Sequence, residues 1–137
     1  MKSNKLLGID YGATNIGLAV SDDRASFAMP LQVVKNDKDV FNKLKQVISD
    51  HGITTIVIGV PQDFQPHKNK ISDEIDAFMK QLHKQVEIPI VTFDESFTTQ
   101  QAEDMLRRQG LSSRKQKGRA DMYAASLILE GYINANT

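Results

Sequence analysis

Over residues 5–34 the apolar side chains fall in short runs broken by glycine and polar turns, and from Asp37 onward they recur at helical spacing. That change of period constrains the fold most, because a strand repeats about every 2 residues and a helix about every 3.6. Residues 5–9 form a short apolar run that predicts a strand buried on both faces. Residues 16–21 and 28–34 predict two more strands, and Tyr11-Gly12-Ala13-Thr14-Asn15 supplies the turn of a hairpin between the first two. Val40, Phe41, Leu44, Val47 and Ile48 then mark a helix closed by His51-Gly52. Residues 54–60, β-branched and ended by Pro61, read as a buried strand, and residues 62–69 as a polar loop. Ile71, Ile75, Phe78, Met79 and Leu82 predict a second amphipathic helix, and residues 88–93 a strand with Pro89 at its start. Thr98-x-x-Gln101 has the form of a capping box, so a helix is expected from there to about Gly110. Residues 112–118 are basic and apolar-poor and read as a loop. A last helix is expected from about Arg119 to Tyr132, packing through Ala120, Ala124, Leu127 and Ile128.

This order implies an α/β fold: a mixed five-stranded sheet, an antiparallel meander followed by parallel strands, flanked by helices. At 137 residues the chain is expected to form one domain over residues 1–137. It has no cysteine, so disulfides and thiolate metal sites are excluded and a reducing, cytoplasmic setting is expected. The first apolar segment ends at Asp10, too soon for a signal peptide or a membrane span, so no membrane association is expected.

Open sheets of this kind place their sites outside the carboxyl ends of the strands. Asp10 follows Leu6-Leu7-Gly8-Ile9, and Glu95 follows Val91-Thr92-Phe93-Asp94, so both stand at such ends. Asp121 is expected in the first turn of the last helix, beside Ala124 and Ala125, which are small enough for close packing. Each acid alone has a structural explanation: a turn residue for Asp10, and a favourable helix dipole for Glu95 and Asp121. Their convergence argues for more. Three carboxylates brought together raise one another's pKa, and a divalent cation removes that penalty. Hard oxygen ligands suit Mg²⁺ or Mn²⁺, and two such ions about 4 Å apart can clamp a phosphodiester in line. His51, His67 and His83 fall in helix-end, loop and helix settings and read as structural or exposed.

The formal net charge is zero, but its distribution is uneven. Arg107, Arg108, Arg114, Lys115, Lys117 and Arg119 lie in a stretch without an acid, able to hold a phosphate backbone or simply to be solvated.

Gly8-Ile9-Asp10-Tyr11-Gly12 with Ile16-Gly17-Leu18-Ala19-Val20-Ser21-Asp22 resembles the opening motif of the YqgF/RuvX family. The likeness continues through Ile58-Gly59-Val60-Pro61, Asp94-Glu95 with Thr98-Thr99 and Ala102, Arg114-Lys115-x-Lys117, and Asp121-x-x-Ala124-Ala125. Members are described as Holliday-junction resolvases or pre-16S rRNA processing nucleases. The resemblance implies an RNase H-like fold and a metal-dependent phosphodiesterase with acids at Asp10, Glu95 and Asp121. It also implies an active-site turn at Gly12 and Thr14, and a basic flank that grips phosphates without reading sequence. The nucleic acid is expected to be structured RNA or branched DNA, and the protein a monomer or, for a junction, a homodimer. The chain departs from the family pattern at Ala13-Thr14-Asn15, at Ser96 and at Gln62-Asp63-Phe64-Gln65-Pro66, and two of these departures remove positive charge. Two other readings share these residues. One is a nucleic-acid-binding module of the same fold without catalysis. The other is an ATP-phosphate-binding domain related to sugar kinases, Hsp70 and actin, suggested by Asp10-x-Gly12-x-Thr14.

Overall fold

A computed structural model describes residues 3–61, 64–94 and 113–136, the backbone alone being described for 113–119. Strands β1 (Leu6–Asp10), β2 (Asn15–Ser21), β3 (Ala28–Lys35), β4 (Thr55–Val60) and β5 (Ile90–Asp94) form one sheet in the order β3-β2-β1-β4-β5. β1 pairs antiparallel with β2, and β2 with β3, while β1–β4 and β4–β5 are parallel. The expected meander and the alternating half are both present.

Alternation along β1 and β2 divides the sheet into two faces. Leu7, Ile9, Ile16, Leu18, Ile56 and Ile58 point to one side, where helices α1 (Val40–His51) and α2 (Lys70–Gln85) cover them through Val40, Leu44, Val47, Ile75, Phe78 and Leu82. Leu6, Ala19 and Val57 point to the other, beneath helix α3 (Ser113–Ala135), which brings Ala125, Ile128, Leu129 and Ile133. α1 ends where Gly52 takes a left-handed conformation (φ 63°) and its N–H closes on the Ile48 carbonyl, a stop that glycine makes without strain. α2 is capped by Asn69, whose side chain accepts the Ser72 N–H at 2.9 Å.

One expectation fails. Residues 113–118, read as a loop, form the first turns of α3. Arg, Lys and Gln are good helix formers, and residues 113–118 carry no apolar repeat to mark them as helical. Asp121 therefore lies well inside the helix and not in its first turn. The helix expected from Thr98 to Gly110 lies outside the described residues. Among those described, no helix is long and apolar enough to cross a membrane.

Candidate functional site

The site is built around two small residues that let α3 lie almost backbone to backbone on the sheet. A side chain at Gly17 would collide with the main chain of Asp121, and one at Gly8 would come within 2.9 Å of the Ala125 carbonyl. Gly17 is the cross-strand partner of Asp10. Directly paired residues share a face and lie about 5 Å apart at Cα. Asp10 and Asp121 are thereby brought to one patch, at the carboxyl end of β1 and under α3.

Both acids are withdrawn from water. Asp10 is only 9% exposed. Asp121 is half-buried, and burial pushes its carboxyl above the ordinary value of 3.8. Burial disfavours the charged form of Asp121, so a neutralising partner at that position would be favoured. Among the described residues no group of three His, Cys, Asp or Glu forms a metal cluster. Those residues supply two hard oxygen donors, a set that fits Mg²⁺ or Mn²⁺ in kind, since these ions bind through one or two carboxylates and complete their shell with water and phosphate.

Glu95 lies outside the described residues. β5 ends one residue earlier, at Asp94, which pairs with Val60 on the face toward α1 and α2. Phe93 takes the α3 face, edge-on to Tyr132 with centroids 6.3 Å apart. Arg107 and Arg108 also lie outside the described residues. Arg114, Lys115 and Lys117 sit in helical turns in place of the expected loop, and Arg119 in the same helix, as expected.

The turn after Asp10 is held tightly. Any side chain at Gly12 would meet the Asn15 carbonyl, so the chain reverses within a space only glycine leaves open. Tyr11 packs its ring at a tilt against Phe78, with centroids 5.1 Å apart. Ala13, Thr14 and Asn15 are exposed on the rim. Asn36, just past β3, reaches back to this turn: its N–H donates to the Thr14 carbonyl and its Nδ2 to the Gly12 carbonyl, each at 2.9 Å. Sequence reasoning missed Asn36, because a contact spanning 24 residues leaves no local signal.

At the far rim, Ser21 is fully buried and accepts the Leu6 N–H at 2.8 Å. Asp22 accepts bonds from the Ser26 hydroxyl and from the backbone N–H groups of Ser26 and Phe27. The Ser26 hydroxyl, ahead of these N–H groups, lowers its pKa to about 2. The second half of the opening motif thus contains structural residues at the end of the hairpin away from Asp10.

A family model described as "RuvX: Holliday junction resolvase" matches residues 4–135. The chain belongs to this family. A relative from Protochlamydia amoebophila, named "Putative pre-16S rRNA nuclease", is 37% identical over 143 residues, covering 98% of this chain and 95% of its own. A relative of the same name from Desulforamulus reducens is 33% identical over 134 residues, with 96% and 97% covered. Among solved structures, T. thermophilus RuvC in complex with a Holliday junction substrate superposes with a TM-score of 0.60 at 17% identity, covering 97% of this chain and 95% of that one. The fowlpox virus resolvase in complex with Holliday junction DNA gives 0.62 at 12% identity, covering 96% and 98%. At such identities the likeness is one of fold, and the fold of this RuvX-family chain is RNase H-like.

Proposed function

We propose that this RuvX-family chain is a divalent-metal-dependent endonuclease. It would hydrolyse phosphodiester bonds in structured nucleic acid, at the 5′ end of precursor 16S rRNA, in Holliday-junction-type DNA, or both. The observation that carries this reading is the seating of the Asp121 main chain over Gly17, the cross-strand partner of Asp10, which supports a shared site for the two acids. Family membership supports the same chemistry.

Asp10 and Asp121, with Glu95 as the third acid, would hold one or two Mg²⁺ or Mn²⁺ ions. When bound, such ions supply charge neutralisation at the phosphate and a more acidic water for attack. The chain's own contribution is placement. Gly12 and Thr14 shape the rim beside Asp10, and burial keeps competing water off the carboxylates. Arg107, Arg108, Arg114, Lys115, Lys117 and Arg119 would hold the phosphate backbone, giving affinity that weakens with salt and carries little base reading. Cutting a four-way junction symmetrically needs two sites and therefore a homodimer, whereas an RNA end can be trimmed by a monomer. We place the activity in the cytoplasm, carried by one domain over residues 1–137.

The test is cleavage of a labelled four-way DNA junction and of a precursor-rRNA fragment in Mg²⁺, Mn²⁺ or EDTA, comparing wild type with Asp10→Asn and Asp121→Asn. Metal-dependent cutting by the wild type alone is expected. Cutting retained by both variants would remove the assigned acids. Binding with no cutting in any metal would leave a nucleic-acid-binding module in place of a nuclease.

A further inference from the structure

We infer that Asn36 is a positioning residue for this site, fixing the direction of Asp10 by holding the turn that follows it. The inference rests on the nuclease reading above. β2 and β3 pair as far as Asn15 and Lys35, and the Asn36 N–H extends that ladder one step, to the Thr14 carbonyl. Any residue but proline makes that bond. The second bond is different, because only a side-chain donor of the right length reaches from Asn36 across the turn to the Gly12 carbonyl.

The consequence for Asp10 follows from chain connectivity. Asp10 is two residues before the carbonyl that Asn36 holds and one before Tyr11, whose ring is pinned against Phe78 on the opposite face. The two anchors leave the intervening backbone little freedom to rotate, so the Asp10 carboxylate leaves the strand in one direction. Removing the Nδ2 bond frees the Gly12 peptide while the main-chain bond and the β2–β3 ladder persist. Asn36 is only partly buried, so the substitution opens no core cavity. Misdirection of a catalytic acid with the fold retained is the expected result.

Asn36→Leu keeps the branched shape and removes the donor, whereas Asn36→His restores an N–H at the same branch position. Asn36→Leu is expected to lower kcat by roughly 10–100-fold, the usual effect of losing a group that orients a ligand. KM for the nucleic acid should be unchanged, and Asn36→His should recover most of the loss. Amide hydrogen exchange, a readout independent of cleavage, should quicken over residues 12–15 in Asn36→Leu and nowhere else. An unchanged kcat, or a loss of kcat that tracks a global loss of protection and is not recovered by histidine, overturns the inference while leaving the nuclease standing. A wild type that neither cuts nor gains thermal stability with Mn²⁺ overturns the nuclease reading itself, and this inference falls with it.

Discussion

The two faces of the sheet are packed on opposite plans. Toward α1 and α2 the sheet offers large aliphatic side chains, Leu7, Ile9, Ile16, Leu18, Ile56 and Ile58, and the helices answer with Leu44, Ile75, Leu82 and the stacked pair Phe41 and Phe78. Toward α3 the sheet also carries Leu6 and Val57 against Ile128, Leu129 and Ile133, but Gly8 and Gly17 let the main chain of Ala125 and Asp121 come close. The first face buries many large apolar side chains, and apolar stabilisation scales with the surface removed from water. The second admits closer approach of main chains, and at its edge that approach lays the Asp121 main chain over Gly17, the strand partner of Asp10. The α1–α2 face is expected to bear on stability alone and the α3 face on both stability and site geometry, a difference that mutation can test.

The largest effect is expected at Gly17. A valine there must displace the Asp121 main chain, so α3 lifts from the rim and its small-residue seam opens. Gly17→Val should abolish metal-dependent cleavage and destabilise by about 3 kcal/mol or more, as overpacking against backbone does. Urea unfolding and a cleavage assay on the folded fraction check both halves. Intact cleavage in this variant would break the link between helix seating and the site.

On the other face, Leu44 is fully buried in α1. Leu44→Ala should cost about 2–5 kcal/mol, the range for a leucine removed from a packed core. Cleavage per folded molecule should nevertheless hold near the wild-type value. A variant that remained folded and lost cleavage would show that the α1–α2 face also determines site geometry, and the contrast between the faces would have to be withdrawn.

How much of this was readable beforehand follows the same division. The face that buries volume announces itself through periodicity: Val40, Leu44 and Val47, or Ile75, Phe78 and Leu82, are spaced by the helix they form. The mixed sheet, a meander followed by parallel strands, is legible in the same patterns, whereas its strand order is seen only in the fold. The α3 face is quieter. Glycines at 8 and 17 read equally well as turn or strand residues, and only the fold reveals that they admit another backbone. The start of α3 reads as a loop because of Gly118 and the run of basic residues, although Arg, Lys and Gln favour a helix. That error carried over to Asp121, whose carboxyl was assigned a favourable first-turn dipole when its environment is set by burial within the helix. Asn36 was invisible because its partner at Gly12 is near only in three dimensions.

The smallest effect, and the one that bears most directly on what the α3 face is for, concerns Asp121 without nucleic acid or metal. Burial raises its folded-state pKa above 3.8. Between 3.8 and that raised value the folded state holds more protons than the unfolded state, so stability from this group is greatest below 3.8 and falls as pH rises through the folded pKa. At neutral pH the metal-free protein therefore carries a net penalty at this position. Asp121→Asn should raise the melting temperature near pH 7 in EDTA, with the gain shrinking as the pH is lowered toward the acid side of that window. Mg²⁺ or Mn²⁺ should raise the melting temperature of the wild type and do less for Asp121→Asn, because a cation stabilises the charged carboxylate that the variant lacks. A variant less stable than wild type at pH 7 in EDTA would mean that the carboxylate is held by compensating partners in the folded chain. The sheltered patch would then be a structural joint between α3 and the hairpin, and the seating of Asp121 over Gly17 would serve the fold before it served catalysis.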